Sequence, residues 1–454
     1  MPKTNPHRAC NDFHQTSEAT RRTFLHEGGL TRRQVIGRGI AGGLAIYAAQ
    51  AMPLGRIFDA AGAAHAAAPD APVIVSVFLP GGCDLLDTVV PLGQYGRYAD
   101  LRPGLRQKDA PKLSGTDLGM NSALTQGLNG GVKSLFDAGK VGLMPGIDYA
   151  NPDLSHFHSR HFWETGLVTQ KSATGWLGRA LDHNGSMDNP LQGVSMTSSL
   201  SPVLHAGRAP VAALSSPSDA QFWIPGVWGP AFDRTMGAWE EISARASSHP
   251  GAAAANGAAR QAKQVADRLA PYKKNDKTGA DPLAPPVAYP KGNDLGDRLQ
   301  TLAGLISQPL GIRVAAVEAE GDFDTHDRQG EDLTRGLGLV SEALASFQAD
   351  LEARGVADRV ITFVWSEFGR RPEQNSSDGT DHGAGGLAWV QGTKVKGGVL
   401  SDYPDLKRLD GEQNLSVTLD FRRVYCSLLE QWMGVDAGAV IPGAGAFGRL
   451  KVTA

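Results

Sequence analysis

Hydrophobic positions along this chain of 454 residues fall into two kinds of pattern that alternate. The first kind is a short continuous run rich in β-branched residues. Such runs cover 73–79, closed by Pro80-Gly81-Gly82, and 141–144, closed by Pro145-Gly146. Others cover 312–319, stopping before Gly321, 359–365, leading into Ser366-Glu367-Phe368-Gly369, and a stretch that begins at Leu387. Runs apolar on both faces and ended by glycine predict buried strands of a parallel sheet. The second kind is a helical stripe. Leu333, Leu337, Val340, Leu344, Phe347 and Leu351 recur at i, i+4, i+7, i+11, i+14 and i+18, and Gly355 stands where a terminating glycine belongs. Leu295, Leu299, Leu302 and Ile306 make a shorter stripe ahead of the 312–319 run, and a last helix is expected within 416–434, ending before Gly434.

This α-β-α-β order predicts an α/β fold, a mostly parallel sheet with helices on both faces, in a single domain over 70–454. The region 251–292 departs from the pattern. It is Ala-rich and then rich in Pro, Lys and Gly, and reads as an exposed insertion or cap.

Ahead of the domain, residues 1–69 carry two twin-arginine stretches, at Arg21-Arg22 and Arg32-Arg33, then a mild Gly/Ala-rich apolar run and an Ala-rich tract ending near Ala66–Ala68. That order is the one an export signal takes, and the paired arginines point to export through the Tat translocase. The apolar run is short and broken by glycine, so no permanent membrane span is expected. A formal net charge of −3, with no basic run interleaved with aromatics, excludes a nucleic-acid binder. Of three cysteines, Cys83 and Cys426 fall in the domain, and the sequence leaves their pairing open.

The candidate chemistry lies at the ends of the strands. The first run leads to Asp84, the 312–319 run to Asp322, Asp324, His326 and Asp327, and the 359–365 run to Glu367, Arg370 and Arg371; the loop with Asp381 and His382 follows. In an open parallel sheet ligands bind beyond the carboxyl ends of the strands, so these groups share one edge. Carboxylate and imidazole donors without thiolates suit a divalent ion, zinc foremost, with manganese, magnesium or calcium as alternatives. Arg370 could hold an anionic oxygen through its guanidinium fork. After the 141–144 run, Ser155 falls at a helix N-terminus, either as a cap or as a nucleophile. His156, His158 and His161 crowd the same stretch, and helical spacing puts His158 and His161 on one face. No G-x-S-x-G elbow, H-E-x-x-H helix, Walker A loop or strand-following GxGxxG occurs.

Taken in order, the twin-arginine leader, PGGCD, SHF…WETG, FDTH..Q, SEFGRRPEQN, GTDHG and VKGG resemble the DUF1501 family of exported bacterial proteins. That family is similar to the alkaline phosphatase and sulfatase superfamily. The resemblance implies an alkaline-phosphatase-like three-layer sandwich and an exported, metal-dependent hydrolase of a small anionic ester, phosphate or sulfate. It implies metal ligation by Asp84, Asp324, His326, Glu367, Asp381 and His382, with Ser155 as nucleophile and His156 and Arg370 beside it. The middle ligand pair is Asp-Thr-His here instead of Asp-x-x-x-His, and Phe368 stands where the superfamily has a histidine. The competing expectation is a non-catalytic exported protein that uses the cleft to bind a ligand or an envelope partner.

Overall fold

The computed structural model describes residues 71–169 and 172–454. The expected leader over 1–69 lies outside the described residues. Thirteen strands are described: β1 (Val73–Phe78), β2 (Val89–Val90), β3 (Gly119–Met120), β4 (Val141–Asp148), β5 (Gly193–Ser195), β6 (Ala212–Ala213), β7 (Val314–Glu318), β8 (Val360–Trp365), β9 (Gly369–Arg370), β10 (His382–Gly383), β11 (Gly386–Gln391), β12 (Gly398–Val399) and β13 (Leu419–Asp420). Among the helices, those that matter below are α1 (His156–Thr165), α2 (Trp176–Asn184), α3 (Pro230–Ala244), α4 (Pro250–Leu269), α5 (Asp294–Ile306), α6 (Gln329–Ala353) and α7 (Phe421–Ser427).

Nine strands form one sheet in the order β12-β4-β11-β8-β1-β7-β5-β6, with β13 also on β4. All pairs are parallel except those made by β11, which runs against both β4 and β8. The alternation within β1 shows why its sequence is apolar at every position but Ser76, whose hydroxyl accepts from Trp365 Nε1. Val73, Val75 and Val77 join one hydrophobic cluster with the stripes of α5 and α6, whereas Ile74 and Phe78 join a second with α1, α2 and α7. Side chains of a strand point to opposite faces, so a sheet covered on both sides needs apolar residues on both faces of its strands. The three-layer α/β arrangement expected from the sequence is the one observed.

Several boundaries differ from expectation. β4 does not stop at Pro145-Gly146 but continues to Asp148. Its register against β11 slips at Gly386/Leu387, and Gly146 takes φ +72°, so the glycine serves a bulge instead of a strand end. The last helix begins only at Phe421, because Leu419 and Asp420 pair with β4 and Asp420 caps the helix through the Arg422 N–H. Cys83 and Cys426 are both buried and unpaired, and they lie in the two clusters on opposite faces of the sheet. Helices α3 and α4 pack mainly on each other, and α3 keeps only Ser243 buried. The exposed excursion thus begins ahead of 251. Among the described residues no helix is long and apolar enough to cross a membrane.

Candidate metal centre and cleft

Strands β8, β1 and β7 are parallel neighbours, so their carboxyl ends open side by side. After β1 the chain turns through Gly81 and Gly82, at φ +114° and +80°. Side chains cannot replace these glycines. A Cβ on Gly81 would stand 2.3 Å from the Asp324 amide nitrogen, and one on Gly82 would stand 2.4 Å from the Phe368 ring. The pair presents two backbone N–H groups to one place, and Glu367, at the end of β8, fills it. Glu367 accepts from Gly81 N at 2.9 Å and from Gly82 N at 3.1 Å. Burial raises the Glu367 pKa, but the hydrogen bond and charge of His156 outweigh it, and the carboxyl lies below its ordinary range.

Three histidines share one design. His156 Nδ1 lies 2.8 Å from Glu367 Oε1, His326 Nδ1 lies 3.2 Å from Asp381 Oδ1, and His382 Nδ1 lies 2.9 Å from the Leu154 carbonyl. A carbonyl only accepts, so the His382 proton sits on Nδ1 and its Nε2 lone pair faces inward. All three Nε2 atoms converge on Asp324. The separations are 3.3 Å from His156 to Oδ2, and 3.1 Å and 3.0 Å from His326 and His382 to Oδ1. The Nε2 atoms of His326 and His382 are 3.0 Å apart. One donor atom each from His156, Asp324 and His382 lies within 4.8 Å of the others.

These distances test whether the residues suit an ion. Bonds of about 2.0–2.1 Å to a tetrahedral zinc put neighbouring donors roughly 3.3 Å apart, close to what is found. Imidazoles held through Nδ1 by a carboxylate or a carbonyl are also the usual second shell of a metal histidine. The donor set fits.

Electrostatics follow from the same contacts. Burial disfavours the His156 cation, yet hydrogen bonds to Asp324 and Glu367 prevail and raise its pKa to about 9. His382 goes the other way: burial lowers its pKa, and Arg370 adds to that against the pull of Asp324. Burial raises Asp324, but hydrogen bonds from His156 and His326, with the Arg370 charge, hold it far below the carboxylate range.

Other expected site residues have different work. Asp84 is fully buried, and both its oxygens are taken by Arg102, at 2.8 and 2.6 Å, while Oδ1 also accepts from the Asp87 N–H. It belongs to a closed ion pair and not to the imidazole group. Arg370 is 1% exposed and donates to the carbonyls of Gly81, Gly82, Phe323 and Thr380 and to Asp324. Its donors are spent on the protein, so it clamps the glycine turn and Asp324 and has no fork to offer an anion. Glu367 and Asp381 hold imidazoles from behind, where direct ligation was expected. Ser155 is the N-cap of α1, and its hydroxyl makes no capping bond; it is absent from the cleft lining. Of the three histidines, His156, the one placed in the site, reaches the group from the first position of the helix, while His158 pairs with Asp153 at 2.7 Å. Phe368 fills the place of a histidine and packs against the His156 and His382 rings at 4.9 and 4.6 Å. The glycine turn as an anion seat, Arg102 and Ser366, which accepts from the Gly82 and Cys83 N–H groups, went unnoticed in the sequence. Only the unbroken Gly81-Gly82 pair after a strand signalled any of it.

The group lies on a cavity of about 680 Å³ lined also by Phe78, Phe157, Arg160, Glu318, Asp322 and Asp327, with Asn375, Ser376 and Ser377 on one side.

A solved structure from Bacteroides thetaiotaomicron, described in connection with the metabolism of multiple glycosaminoglycans, aligns with 84% of this chain and 75% of its own at 11% identity and a TM-score of 0.33. Those values are too low to speak to activity. Comparison with curated proteins gives no match. The family model described as "Protein of unknown function (DUF1501)" matches residues 144–443, a span that holds all of His156, Asp324, His326 and His382, and the chain belongs to that family.

Proposed function

We propose that the chain is an exported, metal-dependent hydrolase that cleaves a phosphate or sulfate ester in the cleft. The observation that carries this reading is the convergence of three imidazole Nε2 atoms on Asp324 at the floor of a cavity of about 680 Å³. His156, His382 and Asp324 would hold the ion, with His326 beside them at 3.0 Å from His382, and zinc is the best fit to an all-nitrogen-and-oxygen set at these separations. A bound dication would polarise the ester oxygen and make a water reactive at neutral pH. Glu367, Asp381 and the Leu154 carbonyl orient the imidazoles with Nε2 towards Asp324, and His156 would give up its Nε2 proton on holding the ion. Arg370 holds Asp324 against the glycine turn. Water is assigned as the attacking oxygen, with Ser155 at the N-cap of α1. The twin-arginine leader supports delivery by the Tat translocase.

One feature favours a second reading, an ion-stabilised binding protein without turnover. Were His326 to join His156, His382 and Asp324, the four donors would be the full complement of a structural zinc, whereas catalytic zinc keeps one position open. The deciding experiment loads the protein with zinc, measures metal per chain, and assays a panel of aryl phosphates and sulfates before and after chelation. Turnover abolished by the chelator and restored by zinc supports the hydrolase. A fully loaded protein inert to the whole panel supports the binding protein.

A further inference from the structure

The charge of the cleft points past the ester group. Its lining carries six carboxylates, Glu318, Asp322, Asp324, Asp327, Glu367 and Asp381, and among the described residues one guanidinium, Arg160. That guanidinium is already engaged: Arg160 Nε lies 2.9 Å from Glu164, its Nη2 lies 2.9 Å from Glu318, and its plane covers the Phe78 ring at 4.4 Å. Arg370, the other nearby guanidinium, is turned into the protein. A dication at the imidazoles would neutralise the floor and leave the lining negative. Asp322, Asp327 and Asp381 stand towards solvent, with Asp327 57% and Asp381 50% exposed; Asp327 also meets the exposed Arg328 at 3.2 Å, and Phe157, 55% exposed, lines the same cavity.

We infer that the cleft selects an ester whose alcohol portion carries an ammonium group. The anionic head would sit at the floor, and the ammonium would sit between the Asp322 and Asp327 carboxylates with its methylenes on the Phe157 ring. A cation over an aromatic face beside carboxylates is stabilised by both. This inference rests on the cleft being the substrate site. It stands on the enclosed cavity, its aromatic wall and its engaged arginine together, since carboxylates alone would mark no site. An ester with a neutral or acidic alcohol meets the same rim, whose carboxylates outnumber its partners Arg160 and Arg328, so specificity arises from the rim and not from the ester group.

The test compares the 2-aminoethyl and 2-hydroxyethyl monoesters of phosphate and of sulfate, which differ at the far end by an ammonium against a hydroxyl. Binding to the zinc-loaded protein is measured by calorimetry and turnover by release of the inorganic anion. The amine esters are expected to bind about tenfold more tightly, an effect that shrinks as salt rises from low to physiological strength. The Asp322→Asn/Asp327→Asn double variant should bring the ratio close to one. Both side chains are exposed, and the amide oxygen that replaces the Asp322 carboxylate can still accept from the Asp324 N–H, so folding is retained. Equal affinity for the two esters, no binding of either, a preference that survives the double variant, or a second bound metal that depends on Asp322 and Asp327 would each overturn the inference. Failure of the hydrolase reading is seen separately, as selective binding of the amine ester with no release of anion.

Discussion

Asp84 and Asp324 invite comparison, because each follows a strand of the same parallel sheet and each meets an arginine. Arg102 grips both oxygens of Asp84, also contacts Asp87 at 2.9 Å, and leaves the cluster with no exposed side-chain surface. Arg370 meets Asp324 at Oδ1 alone; Oδ2 faces His156, and 16% of the side chain stays open to the cleft. A carboxylate forked by a guanidinium is spent on holding loops together. A carboxylate that meets a guanidinium at one oxygen and imidazoles at both is placed within a donor group and partly open to the cleft. The difference separates a structural aspartate from one that can take part in chemistry, although both look alike in the sequence.

The comparison can be broken most sharply at Arg102. Arg102→Ala strands two buried carboxylates and should cost about 3–5 kcal/mol of stability, read from denaturant midpoints. If stability falls by under about 1 kcal/mol, the closed pair is not the structural element described. The matching change on the other side is His382→Ala, expected to weaken zinc binding by about a hundredfold in competition with a chelator while the metal-free protein keeps its melting temperature within a few degrees. Unchanged zinc affinity would remove His382 from the ion site. Glu367→Gln tests the outer shell and should weaken zinc by about tenfold, since a neutral amide orients His156 less well.

A third aspartate sharpens the contrast through pH. Asp148, fully buried at the end of β4, accepts only from the Tyr149 and Gly385 amides, and burial raises its pKa to about 8. The folded chain therefore favours its protonated form. Asp148 costs nothing below about pH 4, and its penalty grows as pH rises from about 4 to about 8 and levels off above that. Asp148→Asn should stabilise the protein by about 1–2 kcal/mol at pH 7 and leave it unchanged at pH 4. A loss of stability at pH 7 would mean that the charged form is compensated. The smallest expected effect is that of Ser155→Ala, with turnover within about twofold of the parent; a loss of a hundredfold or more would restore Ser155 as the nucleophile.

Much of the frame was legible in the sequence. The β-branched runs, the stripe from Leu333 to Leu351 and the glycines Gly355 and Gly434 all act through short-range physics: side-chain periodicity, burial and positive φ. The clustering of Asp and His residues at strand ends could be read for the same reason, because a strand ends where its apolar run does. The role of each polar group could not. His156 was placed beside a nucleophile, yet it opens α1 against the Glu367 seat, a partner that its spacing could not indicate.

By itself, the sequence determined the α/β architecture and the edge of the sheet on which the chemistry gathers, because periodicity and strand-end position are local properties. Tertiary structure alone decided that Asp84 closes on Arg102, that Glu367 and Asp381 stand behind imidazoles, and that Arg370 turns inward. Each of those outcomes depends on which backbone carbonyl, amide or side chain arrives within hydrogen-bonding distance from elsewhere in the chain, and a buried charge accepts whichever arrangement leaves none of its bonds unmade.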